Sequence, residues 1–451
     1  MKRDDLLIKN ACVVTGAGPV FESGWVHVAG GRIDALGSMS DLRAPRRASR
    51  VVDAGGRFLL PGFINPHTHL YGRLAQGMPV GRMKTLRGVL ENLWWKLDRA
   101  LTRDDVYISA MIGGIEAIRA GVTTICDHHA SYGAISGSLR AVSKALSELG
   151  LRASLCFEIS DRDGKRARDE ALAESGHFLD ESRGRASKGD GFLQRGMVGL
   201  HASMTLSDGT LEAARELMDI YGVGAHVHVA EGIEDVLVTK RMNGTTPAAR
   251  LRKFGILRPG TIAAHCVHVS DADIRTLRKS GATAVHNPLS NFNNAVGVAP
   301  VPRLVQARVP VAVGTDGMSS GVACDIRAAS VIHKCGERDA QAGGDSFSRF
   351  VWEAAPEIVS GQFGFEVGKI ARGAAADLVI SEAKPATAVT EENAWWHLLF
   401  GVLTAPVRTT VVAGRIKMQD FKLQGIDEAS AYAEARELSD ALWKRMKRRR
   451  S

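Results

Sequence analysis

Two histidines separated by one residue, His67 and His69, lie in the segment Leu60-Pro-Gly-Phe-Ile-Asn-Pro-His-Thr-His-Leu70. Side chains two positions apart on a strand point to the same side, so both imidazoles can reach one cation. The pair alone is equally compatible with packed core or surface histidines. It therefore predicts half of a metal site, and the other half has to come from elsewhere in the chain.

Further polar residues follow apolar, strand-like runs downstream. His228 and Glu231 occur in Gly-Ala-His-Val-His-Val-Ala-Glu-Gly, and Asp316 occurs in Val-Ala-Val-Gly-Thr-Asp-Gly. Three imidazoles and a carboxylate suit a divalent ion, so we expect one divalent metal, with zinc the first expectation and iron the alternative. Metal binding lowers the pKa of a water molecule toward about 7, which makes hydroxide available at neutral pH. The expected metal ligands are His67, His69, His228 and Asp316.

Glu231 and His265 are expected to act on protons and on substrate. Glu231 lies three residues beyond His228, where a turn would let both side chains face one cavity. A carboxyl group there can shuttle a proton to a ring nitrogen or a leaving group. His265, in Ile-Ala-Ala-His-Cys-Val-His, can hydrogen-bond the hydroxide or polarise a substrate oxygen. The alternatives are an exposed loop carboxylate for Glu231 and a structurally satisfied strand-end histidine for His265.

Other histidines follow the same strand ends with less definite roles. His201 ends the fourth predicted strand and is expected to contact the polar edge of the substrate, with a bridging structural role as the alternative. His128 and His129 end the second strand beside Asp127, where a buried network is expected and contact with substrate is the alternative.

His268, His286 and Trp94 are the remaining candidates near the site. For the two histidines, support of the ligands or simple packing is at least as compatible with the sequence as direct contact. Trp94 and the adjacent Trp95 are expected to pack a helix, and the alternative is that one of them lines the pocket.

The elements that must position these residues follow a β/α pattern. Between Phe58 and about Glu366, apolar strand-like runs alternate with segments of helical periodicity, as in parallel sheets. Each polar candidate lies at or near the C-terminal end of a strand, the face on which (β/α)8 barrels carry their chemistry. Eight strands, enough to close a barrel, are predicted at 59–69, 123–129, 152–159, 197–202, 224–230, 261–267, 282–287 and 309–316.

Both ends of the chain read as β structure. The N-terminal part has short strands broken by glycine turns, and the β pattern returns at 377–381 and 407–417. We expect a composite β-sandwich domain from residues 1–57 and 367–423, a metal-dependent barrel over 58–366, and a C-terminal helix with a basic tail over 424–451.

The composition is that of an ordinary soluble globular protein. The 451 residues are 45% hydrophobic and 24% charged, and length allows a barrel of about 250 residues plus an accessory domain. The net charge of +9 would suggest a nucleic-acid or membrane partner if it covered one face. Most of it comes from the extreme C-terminus, so we expect a solvated tail and neither partner, with RNA or membrane tethering as the alternative. The residues concerned are Lys444, Arg445, Lys447, Arg448, Arg449 and Arg450.

Cysteine spacing and the N-terminus favour a reducing compartment. The six cysteines show neither C-x-x-C spacing nor a disulfide framework, and the N-terminus lacks an export signal. No run of about 18 apolar residues occurs, so a cytoplasmic protein is expected.

Several motifs, in order along the chain, resemble the amidohydrolase superfamily, and more narrowly its cytosine deaminase, adenosylhomocysteine deaminase and chlorohydrolase-like group. They are Pro61-Gly-Phe-Ile-Asn-Pro-His-Thr-His, His226-Val-His-Val-Ala-Glu231, Ala264-His-Cys-Val-His268, His286-Asn-Pro-Leu-Ser-Asn291 and Gly314-Thr-Asp-Gly317. Three further segments are similar to the SsnA-type aminohydrolases within that group: Leu93-Trp-Trp-Lys-Leu-Asp-Arg-Ala-Leu, Asp127-His-His-Ala-Ser and Gly199-Leu-His-Ala-Ser-Met-Thr-Leu-Ser-Asp.

The resemblance implies an α/β fold, a distorted (β/α)8 TIM barrel with a composite β-sandwich domain from both termini. It implies the ligand set given above, with Glu231, His265 and Asp316 in proton transfer and hydroxide orientation. The implied reaction replaces an amino group on a nitrogen heterocycle or amidine carbon. Hydrolytic dechlorination or opening of a cyclic amide is the alternative. A non-enzymatic scaffold is the remote alternative, against which the retained ligands argue. A homodimer or higher homo-oligomer is expected.

Two absences narrow the subtype. Related binuclear members carry a carbamylated lysine on strand four, but Met197-Val-Gly-Leu-His-Ala-Ser contains no lysine, so one metal is expected. Guanine deaminases carry a Pro-Arg-Phe-type segment there, and its absence makes guanine a poor first expectation.

Overall fold

The computed structural model describes residues 5–16, 18–42, 48–187, 193–342 and 346–448. In order along the chain, the strands are β1 (Leu6–Val14), β2 (Val20–Ala29), β3 (Arg32–Ser38), β4 (Arg50–Asp53), β5 (Phe58–Pro61), β6 (Phe63–Thr68), β7 (Val122–His129), β8 (Arg152–Ile159), β9 (Gln194–Gly196), β10 (Val198–Ala202), β11 (Ala225–Val229), β12 (Ile262–His265), β13 (Thr283–His286), β14 (Val311–Val313), β15 (Leu378–Ser381), β16 (Val407–Val412), β17 (Arg415–Gln419) and β18 (Lys422–Leu423).

The helices connect and flank these strands. They are α1 (Leu86–Val89), α2 (Trp95–Ala100), α3 (Arg103–Arg119), α4 (Ser138–Leu149), α5 (Gly164–Ser187), α6 (Asp208–Tyr221), α7 (Ile233–Asn243), α8 (Pro247–Lys253), α9 (Asp271–Ser280), α10 (Pro288–Asn293), α11 (Val301–Gln306), α12 (Ala323–Glu337), α13 (Ser346–Arg349), α14 (Ala355–Phe363), α15 (Ala394–Phe400) and α16 (Glu428–Arg448). A π-helical turn, Leu90–Trp94, joins α1 to α2, and another, Phe350–Ala354, joins α13 to α14.

Eight parallel strands form a nearly closed barrel, in the order β14-β13-β12-β11-β10-β8-β7-β6, with β9 added beside β8. A bridge between Thr68 and Asp316 brings the two ends of this sheet together, and the amides of Thr315 and Asp316 both donate to the His67 carbonyl at 3.0 Å. Each of the eight predicted strands has a counterpart in the barrel, although the first begins only at Phe63, so the predicted (β/α)8 architecture is confirmed.

The amino-terminal half of the barrel interior is filled by apolar side chains. Ile64, Ile262 and Val285 from the strands pack in one buried cluster with Ile358 and Phe363 of α14. Strands covered on both faces require nearly continuous apolar sequence, which is why these runs could be recognised. The polar residues are left to the opposite, carboxyl end.

Strands from both termini form the second sheet. Its order is β18-β17-β16-β15-β5-β1-β2-β3, with β4 paired to β1, so the expected joining of N- and C-terminal strands is confirmed. The hydrogen bonds connect these nine described strands into a single sheet.

The predicted strand 59–69 is wrong as one element, because it is two strands in two sheets. Phe58–Pro61 pairs with β1 and β15, whereas Phe63–Thr68 is the first barrel strand. The chain crosses between the sheets at Gly62, whose amide donates to the Asp377 carbonyl at 2.9 Å. A Cβ at Gly62 would lie 2.2 Å from Cγ2 of Thr123, so only glycine fits this crossing.

The basic C-terminal residues lie on α16 as far as the structure describes them. The expectation of a solvated tail is wrong for Arg445, because its Nε donates to the Ala100 carbonyl at 3.0 Å and its guanidinium bonds Asp105 of α3. Arg449 and Arg450 lie outside the described residues. Within the described ranges, every helix is too short or too polar to cross a bilayer.

Candidate functional site

Three buried histidines from two barrel strands converge at the carboxyl end of the barrel. His67 lies on β6, His69 directly follows that strand, and His228 lies on β11. The Nε2 atoms of His69 and His228 are 3.3 Å apart, and the His67 ring centroid is 4.9 Å from that of His69 and 5.1 Å from that of His228. One ligand atom from each ring can therefore reach a single ion.

The second nitrogen of each ring is held by a residue of another barrel strand. Nδ1 of His69 donates to the His128 carbonyl at 2.6 Å, and Nδ1 of His228 donates to the His201 carbonyl at 2.9 Å. Nδ1 of His67 shares a 2.7 Å hydrogen bond with Nε2 of His226. These bonds fix the ring orientations and leave the Nε2 atoms for a ligand.

Asp316 completes this cluster from the segment after β14. Its Oδ1 lies 2.9 Å from Nε2 of His69 and 3.6 Å from Nε2 of His67, and its Oδ2 accepts a hydrogen bond from the Ser290 hydroxyl. Asp316 has φ +54°, a left-handed conformation that is uncommon outside glycine and concentrates at functional sites. The turn at this strand end thus directs the carboxylate toward the histidines.

The electrostatics of the cluster match a divalent cation. Burial lowers the pKa of His67 to about 3, so its ring is neutral, and within the described residues its buried Nε2 has no hydrogen-bond partner. Burial alone would raise the pKa of Asp316, but His67 and His69 hold it well below its usual range. Burial would also lower the pKa of His69, yet Asp316 raises it to about 9. A dication can replace that proton, so the residues fit the expected metal.

Glu231 and His265 lie beside the cluster. Nε2 of His265 is 3.8 Å from Glu231 Oε2 and 4.0 Å from Asp316 Oδ2. Nδ1 of His265 donates to the Asn291 side-chain oxygen at 2.9 Å, which leaves Nε2 as the nitrogen that faces both carboxyl groups. His265 has φ +70°, so the chain turns here as it does at Asp316.

The pKa of Glu231 moves in the opposite direction from that of Asp316. Burial and the charge of Asp316 raise the pKa of Glu231, against the opposing effects of His265 and the Asn294 side chain. Two carboxyl groups whose pKa values are driven apart can divide the roles of proton donor and proton acceptor.

Of the other predicted histidines, His201 and His128 contact ligand histidines through their carbonyls, whereas His129 contacts a serine. His201 uses its carbonyl to hold His228, and its own Nδ1 is 2.7 Å from the Thr205 hydroxyl. His128 likewise offers its carbonyl to His69, while its Nε2 donates to the carbonyls of Leu200 and His226 at 3.1 Å each. His129 bonds none of these ligands among the described hydrogen bonds, and its Nε2 lies 2.9 Å from the Ser131 hydroxyl.

His268, His286 and Trp94 occupy separate places. The His268 amide donates to the Ala230 carbonyl at 2.9 Å, and the half-buried side chain lies beyond β12. His286 is buried with its ring centroid 5.5 Å from that of His333, outside the ligand cluster. Trp94 reaches the site, with its ring 6.2 Å from His69, and a Cβ at Gly317 would lie 2.5 Å from it.

Two features of the site were missed at the sequence level. His226 bonds His67 directly, and its signal was a second H-x-H pattern, His226-Val-His228, identical in spacing to His67-Thr-His69. Glu158, the acidic residue of the apolar strand β8, comes within 3.5 Å of Nδ1 of His128. A charged residue inside a buried strand could have indicated it.

The sequence matches the amidohydrolase family over residues 58–417. The chain belongs to the amidohydrolase family. It is 32% identical over 445 residues to a 5'-deoxyadenosine deaminase of Methanosarcina mazei, covering 97% of this chain and 98% of that protein. It is 31% identical over 446 residues to a 5-methylthioadenosine/S-adenosylhomocysteine deaminase of Desulforudis audaxviator, covering 95% and 97%.

Among solved structures, a zinc-bound adenosine deaminase from Xanthomonas campestris superposes with a TM-score of 0.86, at 27% identity, over 97% of this chain and 98% of that one. Family membership and these full-length relatives confirm the expectation of a metal-dependent hydrolase of the deaminase type. They also confirm a divalent metal as the family cofactor.

Proposed function

We propose that the protein is a zinc-dependent aminohydrolase that removes the exocyclic amino group from the adenine ring of a nucleoside. One observation carries this proposal: Nε2 of His265 lies within 4.0 Å of two carboxylates with oppositely shifted pKa values, beside a histidine cluster that fits a dication. The deaminase names of the full-length relatives support the choice of leaving group and ring.

The metal would be held by the four residues predicted from the sequence. His67, His69, His228 and Asp316 offer three nitrogens and one oxygen, a donor set that zinc accepts. A bound zinc ion supplies Lewis acidity, which lowers the pKa of a water molecule to about 7. The zinc in the Xanthomonas campestris structure supports this metal over iron.

Glu231 is assigned the role of proton donor to the ring. Because burial and Asp316 raise its pKa, Glu231 is the carboxyl group of the pair that holds a proton more readily. Donation of that proton to the ring nitrogen next to the amino-bearing carbon makes this carbon more electrophilic.

Asp316 and His265 act on the water and on the leaving group. His265 Nε2, an acceptor, can bind one O–H of the attacking water and direct its oxygen lone pair toward the carbon. Asp316 stays ionised, takes a proton from the water and passes it to the amino group. A carbon–oxygen bond forms and the carbon–nitrogen bond breaks. The second proton of the water returns to Glu231 as the oxygen becomes a carbonyl, so the products are the oxo ring and ammonia.

A substrate series with ammonia detection tests this proposal. Zinc-loaded protein would be incubated with 5'-deoxyadenosine, 5'-methylthioadenosine, guanine and a chlorinated aminotriazine, with Glu231→Gln at equal zinc content as the control. We expect ammonia and the corresponding hypoxanthine nucleoside from the adenosine compounds, and little product from the variant. Release of chloride alone from the triazine would show a dechlorinase. Ammonia from guanine but from neither nucleoside would contradict the substrate assignment.

A further inference from the structure

The short helix α10 buries polar side chains and exposes an apolar one. Ser290 and Asn291 are 2% and 0% exposed, whereas the adjacent Phe292 is 36% exposed. Burying a hydroxyl and an amide costs free energy unless they form hydrogen bonds, and burying the phenyl ring instead would stabilise the fold. This reversal of the usual amphipathic pattern indicates that the inner face of α10 serves the site rather than packing.

Two inner residues of α10 bond residues that are assigned to the reaction. The side-chain oxygen of Asn291 accepts a hydrogen bond from Nδ1 of His265 at 2.9 Å. The hydroxyl of Ser290, one position earlier, donates to Oδ2 of Asp316. A helix of six residues therefore holds two groups that enter the site from different parts of the barrel.

Asn294, directly after α10, extends these contacts to the third group. Its Nδ2 lies 3.5 Å from Oε1 of Glu231 and 3.4 Å from the hydroxyl oxygen of Ser290, as a donor to both. Positions 290, 291 and 294 share one face of a helix, because side chains three and four residues apart are neighbours. This face thus contacts every residue to which the proposed reaction assigns a proton or the attacking water.

The three groups do not hold one another in place. Nε2 of His265 lies 3.8 Å from Glu231 and 4.0 Å from Asp316, beyond hydrogen-bond distance. His265 and Asp316 also have positive φ, so the backbone around them departs from regular strand geometry. Their spacing therefore depends on a neighbour that all three contact.

The helix α10 is itself anchored to the barrel. The amide of Leu289 donates to Oδ1 of the buried Asp325 on α12 at 3.3 Å, and the amide of Asn291 donates to the Asn287 carbonyl at 3.0 Å. Beyond the other end, the amide of Val296 donates to the Asn291 carbonyl at 3.1 Å. Because both ends are hydrogen-bonded, the inner face has a fixed position relative to the strands.

We infer that α10, together with Asn294, sets the mutual spacing of the three residues assigned to the reaction. They are Glu231, His265 and Asp316. Asn291 is the positioning residue of His265. This inference rests on the proposed function, in which Nε2 of His265 binds the attacking water. The bond from Nδ1 to Asn291 keeps the ring in one orientation, and its loss lets the ring rotate and misalign the water.

Replacing Asn291 by leucine removes the acceptor at nearly constant side-chain size. For Asn291→Leu, kcat on 5'-deoxyadenosine should fall about 100-fold, because misplacement of a reacting group by about 1 Å has that cost. KM should change less than about threefold and zinc content should stay the same, because the lost hydrogen bond is to His265 and not to a metal ligand. The matched control is Asn293→Leu, the same substitution on the exposed side of α10, which should leave kcat unchanged.

A double-mutant cycle separates positioning from general damage. In the His265→Ala background, Asn291→Leu should lower kcat by less than about twofold, because its effect passes through the His265 ring. A loss of about 100-fold in both backgrounds would overturn the inference.

The half-buried Asn294 provides a second variant at the other end of the helix. Asn294→Leu should lower kcat by about three- to tenfold, the range expected for one hydrogen bond. This loss should disappear in the Glu231→Gln background, and its persistence there would contradict positioning of Glu231 by α10.

The ring of His265 can also be observed without zinc or turnover. In zinc-free protein with isotopically labelled histidine, the nitrogen NMR signals of His265 are those that His265→Ala lacks. We expect Asn291→Leu to shift the Nδ1 signal and Asn293→Leu to leave it in place. Absence of ammonia from every nucleoside would overturn the proposed function, and the ring signals then decide the positioning role alone. An Nδ1 signal that Asn291→Leu does not move would overturn that role.

Discussion

The two ends of the barrel both bury polar side chains, but these side chains differ in whether their hydrogen-bonding atoms have partners. At the amino end, Nε and Nη2 of Arg152 donate to the two carboxylate oxygens of Asp377 at 2.8 and 3.1 Å, and both side chains are 0% exposed. At the carboxyl end, the buried Nε2 atoms of His67 and His265 have no hydrogen-bond partner in the described part of the chain. Both sets of polar side chains are buried, but only the Arg152–Asp377 pair has its hydrogen bonds made within the described protein.

This difference separates stability from function. The amide of Ala413 also donates to Asp377 at 2.7 Å, so the pair joins the barrel to the terminal sheet through saturated hydrogen bonds. Unsatisfied buried polar atoms cost free energy unless a ligand completes them. The amino end is therefore assigned to holding the two sheets together and the carboxyl end to binding a metal and a substrate.

The largest expected effect is on the reaction at the carboxyl end. Glu231→Gln removes the proton donor without changing the shape of the side chain, so kcat should fall by about 10³. Zinc content, measured by elemental analysis, and the free energy of unfolding should change little. Full turnover by this variant would remove Glu231 from proton transfer.

The next effect concerns the amino end. Asp377→Ala leaves the buried guanidinium of Arg152 without its carboxylate, so the free energy of unfolding should drop by about 3–5 kcal/mol. Urea unfolding measures this loss, and zinc affinity of the folded fraction should stay the same. The paired replacement Arg152→Met with Asp377→Leu should recover much of the stability. A change in zinc affinity without loss of stability would contradict the assignment of Asp377 to stability.

A smaller effect is expected for the partner of a ligand. His226→Asn removes the 2.7 Å hydrogen bond that orients His67, and zinc affinity should fall about 10- to 100-fold. The matched control is His129→Asn, a buried histidine at the same end whose ring nitrogen contacts Ser131. Competition with a chelator of known affinity measures both. Equal losses in the two variants would show general damage to this end.

The smallest expected effect is the release of a proton from His69 when zinc binds. Since Asp316 raises the pKa of His69 to about 9, this ring is protonated near neutral pH without metal, and zinc must displace that proton. Apparent zinc affinity should therefore rise with pH up to about 9, and this contribution should vanish above it. Calorimetry in buffers of different ionisation enthalpy measures the released protons. Binding without proton release near pH 7 would contradict the assignment.

Much of the barrel could be predicted because its strands are covered on both faces. Continuous apolar runs marked them, and the polar residue ending each run marked the carboxyl end. The crossing at Gly62 could not be predicted, because the apolar run continues through it and only the contact with Thr123 shows where the sheet changes.

The residues of the candidate site that lie at or near the ends of strands could be predicted from the sequence. His67, His69, His228 and Asp316 each have such a position, and the structure brings them together. His226 and Glu158 were missed because each contacts its partner from within a strand. His226 lies 159 residues from its partner His67, and Glu158 lies 30 residues from its partner His128. Pairings across the barrel depend on register, which sequence alone does not specify.

The central proposal is that His67, His69, His228 and Asp316 at the carboxyl end bind one divalent ion. Elemental analysis of zinc-equilibrated, gel-filtered protein tests it most directly, with His67→Ala beside the unaltered chain. We expect one zinc per unaltered chain and none in His67→Ala, and we expect both proteins to unfold cooperatively. Absence of stoichiometric zinc from the unaltered chain, or one tightly bound zinc in His67→Ala, would contradict it.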